Sequence, residues 1–304
     1  MKKLSSIAAL GCFLLAPAFA SASIDTSVSF SYGMADSVFD EDGEKSSIDE
    51  AFGLPDGSVS ANFMVIGLGA GYQVMDGLDV HLDLPIVQKT FKVEAGGQVV
   101  TDEDAFGLGD PTIGATYMHS INDTLAVGGG LDVKLALGSN ENLLANTTDG
   151  ATHITAKGLL SAAPVDGLAI DLDAGYIVTI GGKLNTVNPT DGSSLELDVD
   201  QGDTLFTNLY VGYTVSGFTP RLGVHYSQTG EIADEDGNAA ENSDKNRMSI
   251  SASVDYDISD SMSVTAGLGT NSIHEGTNLN YGYALTGKNY TAGLAFGLGF
   301  SAAF

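Results

Sequence analysis

The chain has 304 residues, with 39 Asp and Glu against 12 Lys and Arg, and a formal net charge of −27. That balance excludes nucleic acid as a sensible partner, because a polyanion is repelled by a surface of its own sign. The single cysteine, Cys12, lies in an N-terminal apolar run, so neither disulfide nor thiol chemistry is expected of the mature protein.

At the start of the chain, Lys2 and Lys3 precede an apolar run from Ile7 to Leu15, and Ala18-Phe19-Ala20 offers a small-x-small cleavage site. This is the pattern of a secretory signal peptide, here 1–22, and it leaves 23–304 as one large β domain. Beyond it no apolar run reaches the roughly 18 residues of a membrane helix. What recurs instead is alternation at period 2, the mark of strands lying between two different environments. Strands are expected near 24–34, 58–75, 78–92, 107–119, 124–138, 151–163, 168–180, 204–215, 218–229, 247–258, 261–272 and 288–304. The clearest are Leu78 to Ile86, Leu125 to Leu137, Leu168 to Val178 and Met248 to Ile258. In each, one face is aliphatic or Tyr, while the other carries Asp, Lys, His, Ser or Gly.

The connections decide the architecture. After every even-numbered strand they are tight, at Asp76-Gly77, Ser120 to Asp123, Pro164 to Gly167, Ser216-Gly217 and Ser259-Asp260. After every odd-numbered strand they are long. A transmembrane barrel of the Gram-negative outer membrane has this asymmetry, with short periplasmic turns, long extracellular loops and an even strand number. The expected fold is therefore all-β, an antiparallel outer-membrane β-barrel of about 12 strands. Aromatic residues on the apolar phase fit two interfacial girdles. Tyr72, Tyr117, Tyr213, Phe218, Tyr256 and Phe304 fall near the turn ends, and Tyr32, Tyr176, Tyr226 and Tyr290 near the loop ends. The last strand, Tyr290 to Phe304, alternates large apolar residues, Phe300 among them, with Gly, Ala, Ser and Thr. It is expected to close against the first strand, so that no backbone edge is left unpaired in hydrocarbon.

The segment GLGDPTIGATY (Gly107 to Tyr117), preceded by LDLPIV (Leu82 to Val87), resembles the phenol-degradation meta-pathway family of bacterial outer-membrane barrels. The resemblance implies a porin-like channel or transporter, for small aromatic or other hydrophobic compounds. The terminal strand with Tyr290, Phe300 and Phe304 likewise resembles the signal read by barrel-assembly machinery. That machinery, with outer-membrane lipids and lipopolysaccharide, makes up the expected partners.

On the inward phase the alternation places Asp79, His81 and Asp83 on the third strand, Asp132 and Lys134 on the fifth, and His153 and Lys157 on the sixth. It continues with Asp171 and Asp173 on the seventh, Arg221 and His225 on the ninth, and Arg247, Asp255 and Asp257 on the tenth. Folding the strands about their connections brings Asp132 near Lys157, with Asp173 on its other flank, and Arg221 near Asp255. These residues either fill and stiffen the barrel as ion pairs or form a charged constriction that selects solutes.

The long loops are acidic, densest at DEDGE (Asp40 to Glu44) and DEDGN (Asp234 to Asn238), neither with the spacing of a twelve-residue calcium loop. His81, His119, His153, His225 and His274 are scattered, and no Gly-x-Ser-x-Gly elbow occurs. The sequence thus reads as a channel for passive passage of small molecules, not an enzyme, with no metal and no cofactor. A structural or adhesive barrel and a lipid-modifying enzyme are the alternatives.

Overall fold

The computed structural model describes residues 24–39, 45–47, 49, 57–138, 147–148, 150–187, 194–234, 236–239, 244–270 and 289–304. The expected signal peptide 1–22, the acidic stretch 40–44 and His274 lie outside the described residues. Twelve antiparallel strands make the barrel: β1 (Ile24–Phe39), β2 (Ser58–Met75), β3 (Leu78–Ala95), β4 (Thr112–Asn122), β5 (Leu125–Lys134) and β6 (Thr152–Ala162) form one half. The other half is β7 (Leu168–Ile180), β8 (Thr204–Tyr213), β9 (Phe218–Thr229), β10 (Lys245–Ser259), β11 (Met262–Thr270) and β12 (Asn289–Ala303). Each strand pairs with the next, and β12 pairs with β1. Asp25 lies opposite Ala303 and Tyr32 opposite Phe296. Ile24 and Phe304 exchange backbone hydrogen bonds of 3.2 and 3.0 Å, which completes the cylinder at the chain terminus.

The tight turns have the local chemistry the strand twist demands. Between β8 and β9, Ser216 and Gly217 both take positive φ, 51° and 80°, and Val215 and Phe218 bond to each other across them. Two left-handed residues in succession give a turn whose twist matches that of the flanking strands.

Three stretches differ from the sequence expectation, and each difference has a local cause. β4 begins at Thr112, not near 107. Residues Gln98–Leu108 form a separate strand that pairs with Ile86 to Ala95 of β3 through a turn at Gly96 and Gly97, while β4 takes only Leu78 to Asp83 of β3. The exchange of partner falls at Pro85, which has no N–H to offer a ladder, and at Gly109-Asp110-Pro111. β5 ends at Lys134, not near 138, because the amides of Leu137 and Gly138 bond to the Asp110 carboxylate instead of a neighbouring strand. Finally, Lys183–Val187, Ser194–Asp200 and Ala233–Asp234 form a small sheet of their own within stretches the sequence left as loops.

The outward phase is apolar and open to its surroundings. Leu222 is 62% exposed, Met248 61% and Leu298 54%, with Ile113, Leu131, Leu209, Val254 and Phe296 in the same band. A soluble monomer does not expose a continuous belt of this size, whereas hydrocarbon accommodates it. Tyr72, Tyr117, Tyr213, Phe218, Tyr256 and Phe304 are exposed on the outer surface toward the turns, and Tyr176 and Tyr226 toward the loops. Tyr32 packs on Phe296 with ring centroids 5.5 Å apart. Tyr290 lies opposite Val38 in the β1–β12 register, and its side chain is outside the described ones.

Candidate functional site in the barrel lumen

The inward phase builds three polar groups. In the first, His81 on β3, Gly114 on β4 and Asp132 on β5 stand in one row across adjacent strands. His81 Nε2 lies 3.3 Å from Asp132 Oδ1, reaching over Gly114. A Cβ at Gly114 would sit 2.1 Å from Asp132 Oδ1 and 2.5 Å from His81 Cε1, so only glycine lets imidazole and carboxylate meet there. The other oxygen of Asp132 accepts from Lys157 Nζ at 2.8 Å. Lys157 is opposite Gly130, and it reaches Asp132 diagonally along the strand pair. Asp83 Oδ2 flanks His81 at 4.0 Å. Gly114→Ala is accordingly expected to push His81 and Asp132 apart. The overpacking cost is about 1–3 kcal/mol, read as a lower unfolding temperature of the purified barrel; an unchanged temperature would mean the row is not packed as described.

The second group runs across four consecutive strands, from Asp173 on β7 to Asn208 on β8, His225 on β9 and Ser251 on β10. Asn208 Nδ2 donates to Asp173 Oδ1 at 2.6 Å. Asn208 Oδ1 lies 3.0 Å from His225 Nδ1, and His225 Nε2 lies 3.0 Å from Ser251 Oγ. Asp173 accepts from the amide nitrogen of Asn208, which leaves the Asn208 oxygen facing His225. In the tautomer with its proton on Nδ1, the imidazole donates to that oxygen and accepts from the Ser251 hydroxyl on Nε2. Asp173, expected on the flank of Lys157, is thus held by Asn208. Gly223 leaves room for this contact, since a Cβ there would come within 2.4 Å of Ser251 Oγ.

The third group lies nearer the turns. Arg221 Nε meets Asp255 Oδ2 at 2.9 Å, and Thr265 Oγ1 donates to Asp255 Oδ1 at 2.6 Å. Asp171 accepts from Ser161 Oγ at 2.6 Å. Asp79 lies opposite Thr116 on the same inward phase, and Asp257 opposite Ser263.

At the loop end, Asp110 is 6% exposed, and its carboxylate accepts from Leu137 N and Gly138 N, both at 3.1 Å, and from Thr148 Oγ1 at 2.7 Å. Lys134 Nζ stands 3.9 Å away. In the outer DEDGN stretch, by contrast, Asp234 spends its carboxylate on its own turn. The Asn238 side-chain amide and the backbone of Asn238 and Asp236 donate to it, and these bonds hold it below the usual carboxylate range.

Two cavities occupy the lumen. One, of about 490 Å³, is bordered by Asp132, Lys134, Lys157, Asn208, His225 and Arg247. The other, of about 670 Å³, sets Phe63, Val65, Pro85 and Val87 against serines and glycines of the β10–β12 wall, with Asp110, Lys134 and Thr147 at its polar end.

Sequence reasoning named the charged members of these groups by their phase, and missed Asn208, Ser251, Gly114 and Asp110. Asn208 and Ser251 share the inward phase and were legible as lumenal polar residues. Gly114 and Asp110 stand within the segment that carried the family resemblance, where composition alone gives neither a role.

A closed twelve-stranded antiparallel barrel, with an apolar belt outside and ion pairs within, defines an outer-membrane β-barrel. The chain belongs to the family described as "Putative MetA-pathway of phenol degradation", whose profile matches residues 65–288. Among curated proteins none matches. Among solved structures, an outer-membrane channel from Pseudomonas putida F1 aligns with a TM-score of 0.68 at 16% identity, covering 94% of this chain and 97% of that one. A deletion mutant of the monoaromatic hydrocarbon channel TodX aligns with a TM-score of 0.50 at 11% identity, covering 93% and 91%. The β domain of the Bordetella autotransporter BrkA aligns equally well, at 0.50 and 11%, covering 93% and 100%. Likeness at these identities establishes the barrel fold. It does not separate one barrel's cargo from another's.

Proposed function

We propose that the protein is a passive outer-membrane channel for small molecules that join an apolar ring or chain to one polar group. The observation that carries this reading is the two-faced cavity of about 670 Å³ inside the barrel, with Phe63, Val65 and Val87 on one wall and Lys134 and Thr147 at the end. A solute of this kind leaves its apolar part against the apolar wall, and its polar group exchanges water for the lysine. Membership in the phenol-degradation family and the hydrocarbon channel among the fold's relatives agree with it. Passage runs down the gradient, and the ion pairs of the inner wall set the charge preference.

Vesicles that contain the purified protein are expected to swell in small phenols or aromatic alcohols faster than protein-free vesicles, with their phospholipid and lipopolysaccharide chemically intact. Lipid hydrolysis by the pure protein would replace the channel reading with an enzymatic one. A barrel that seals the vesicles yet binds surfaces would replace it with an adhesive one.

A further inference from the structure

The segment that carries the family resemblance contains a contact that lies outside the strand ladders of the barrel. Gly109, Asp110 and Pro111 interrupt the wall between Gln98–Leu108 and β4, and the interruption is filled by residues from the connection after β5. Asp110 binds both ends of that connection at once. One carboxylate oxygen takes the amides of Leu137 and Gly138, and the other takes the hydroxyl of Thr148. Thr147 is 2% exposed and Thr148 3%, and Thr147 Oγ1 donates to the Leu108 carbonyl at 3.0 Å. The fit is close on both sides. A Cβ at Gly109 would meet Val87 Cγ2 at 2.7 Å and the Thr147 carbonyl at 3.2 Å, and one at Gly138 would meet Thr148 Cβ at 2.8 Å.

We propose that Asp110 is a specificity-determining positioning residue of the pore, clamping 137–138 to 147–148 so that Thr147 and Lys134 stand at the polar end of the larger cavity. The clamp rests on the channel reading for its consequence, but its geometry stands apart from it. A carboxylate suits the task because it only accepts, and here three donors converge on it beside the buried Thr147 and Thr148. Without it, the amides of Leu137 and Gly138 would lose this acceptor, and the two ends of the connection would lose the tether they share through it. Thr147 would keep its bond to the Leu108 carbonyl but lose the tether beside it, and Lys134 would lose the carboxylate 3.9 Å away. The polar end of the cavity would widen, and the solutes that pass would change in size and polarity.

The test uses the full barrel in vesicles with Asp110→Ala, Thr148→Val and, as a control remote from the lumen, Lys92→Gln, which pairs with Glu94 at 2.5 Å on the exposed part of β3. Backbone amide exchange at Leu137 and Gly138 is measured on the same proteins. Asp110→Ala is expected to speed exchange at both amides and to raise several-fold the entry of bulkier solutes relative to phenol, with the unfolding temperature of the barrel little changed. Thr148→Val should shift solute preference in the same direction by less, and Lys92→Gln not at all. Unchanged solute preference in Asp110→Ala overturns the proposal, as does retained protection of Leu137 and Gly138. If Asp110→Ala does not fold, Thr148→Val decides by the same two readouts. Wild-type vesicles that pass no solute would refute the channel reading, and the exchange measurement would still judge the clamp.

Discussion

Leu222→Arg is expected to destabilise the barrel in a lipid bilayer by about 2–4 kcal/mol, the range for a cationic side chain at the midplane of an outer-membrane barrel. Leu222 is 62% exposed on the outer wall, opposite Val211 on β8 and Ala252 on β10. Along β9 it stands midway between Phe218 in the turn-end girdle and Tyr226 in the loop-end girdle, so neither interface is within easy reach of an arginine head group. Equilibrium unfolding in bilayers, compared with Leu222→Ala, isolates the charge from the lost packing. Should arginine cost no more than alanine, Leu222 does not face hydrocarbon and the inward and outward phases of β9 have been exchanged.

The second large effect concerns the inside. Lys157→Ala leaves Asp132 without its 2.8 Å partner. Breaking a fully buried pair costs about 3–5 kcal/mol, and breaking an exposed one about 0–1 kcal/mol. The Lys157 and Asp132 side chains are 22% and 14% exposed, and His81 stays within 3.3 Å of Asp132, so about 1–3 kcal/mol is expected. The loss should be largely recovered in the double variant with Asp132→Asn, because the cost lies in the orphaned carboxylate rather than in the missing lysine. Planar-bilayer recordings should show Lys157→Ala moving ion preference toward cations, since the wall has lost a positive charge. If the single and double variants are equally unstable, the pair is not coupled. If ion preference also stays fixed, Lys157 does not face the conducting path.

These two residues also show how far the sequence could be read. Leu222 and Arg221 are neighbours of opposite character, and period 2 sends one to lipid and the other to the lumen whatever the rest of the chain does. The near approach of Lys157 to Asp132, and of Arg221 to Asp255, followed from folding adjacent strands about their connections. That step succeeds because antiparallel neighbours place residues equidistant from the connection opposite one another, and long side chains bridge the diagonal. The His81–Asp132 contact needed more. It spans three strands and exists only because the middle one carries Gly114 at that level.

What the sequence by itself determined was whatever depends on one strand and its nearest turn: the alternation of faces, the inequality of connections and the even strand number. What only the tertiary structure decided was whatever depends on several strands meeting at one level. The order Asp173, Asn208, His225, Ser251 takes one residue from each of four strands, and no local pattern fixes four registers together. Asp110 is the extreme case. Its segment read as the beginning of a strand because its flanks alternate, yet its carboxylate is satisfied by residues 27 to 38 positions away. Backbone donors have no sequence signature of their own, so a clamp made of one acid, two amides and one hydroxyl becomes visible only when the chain has brought them together.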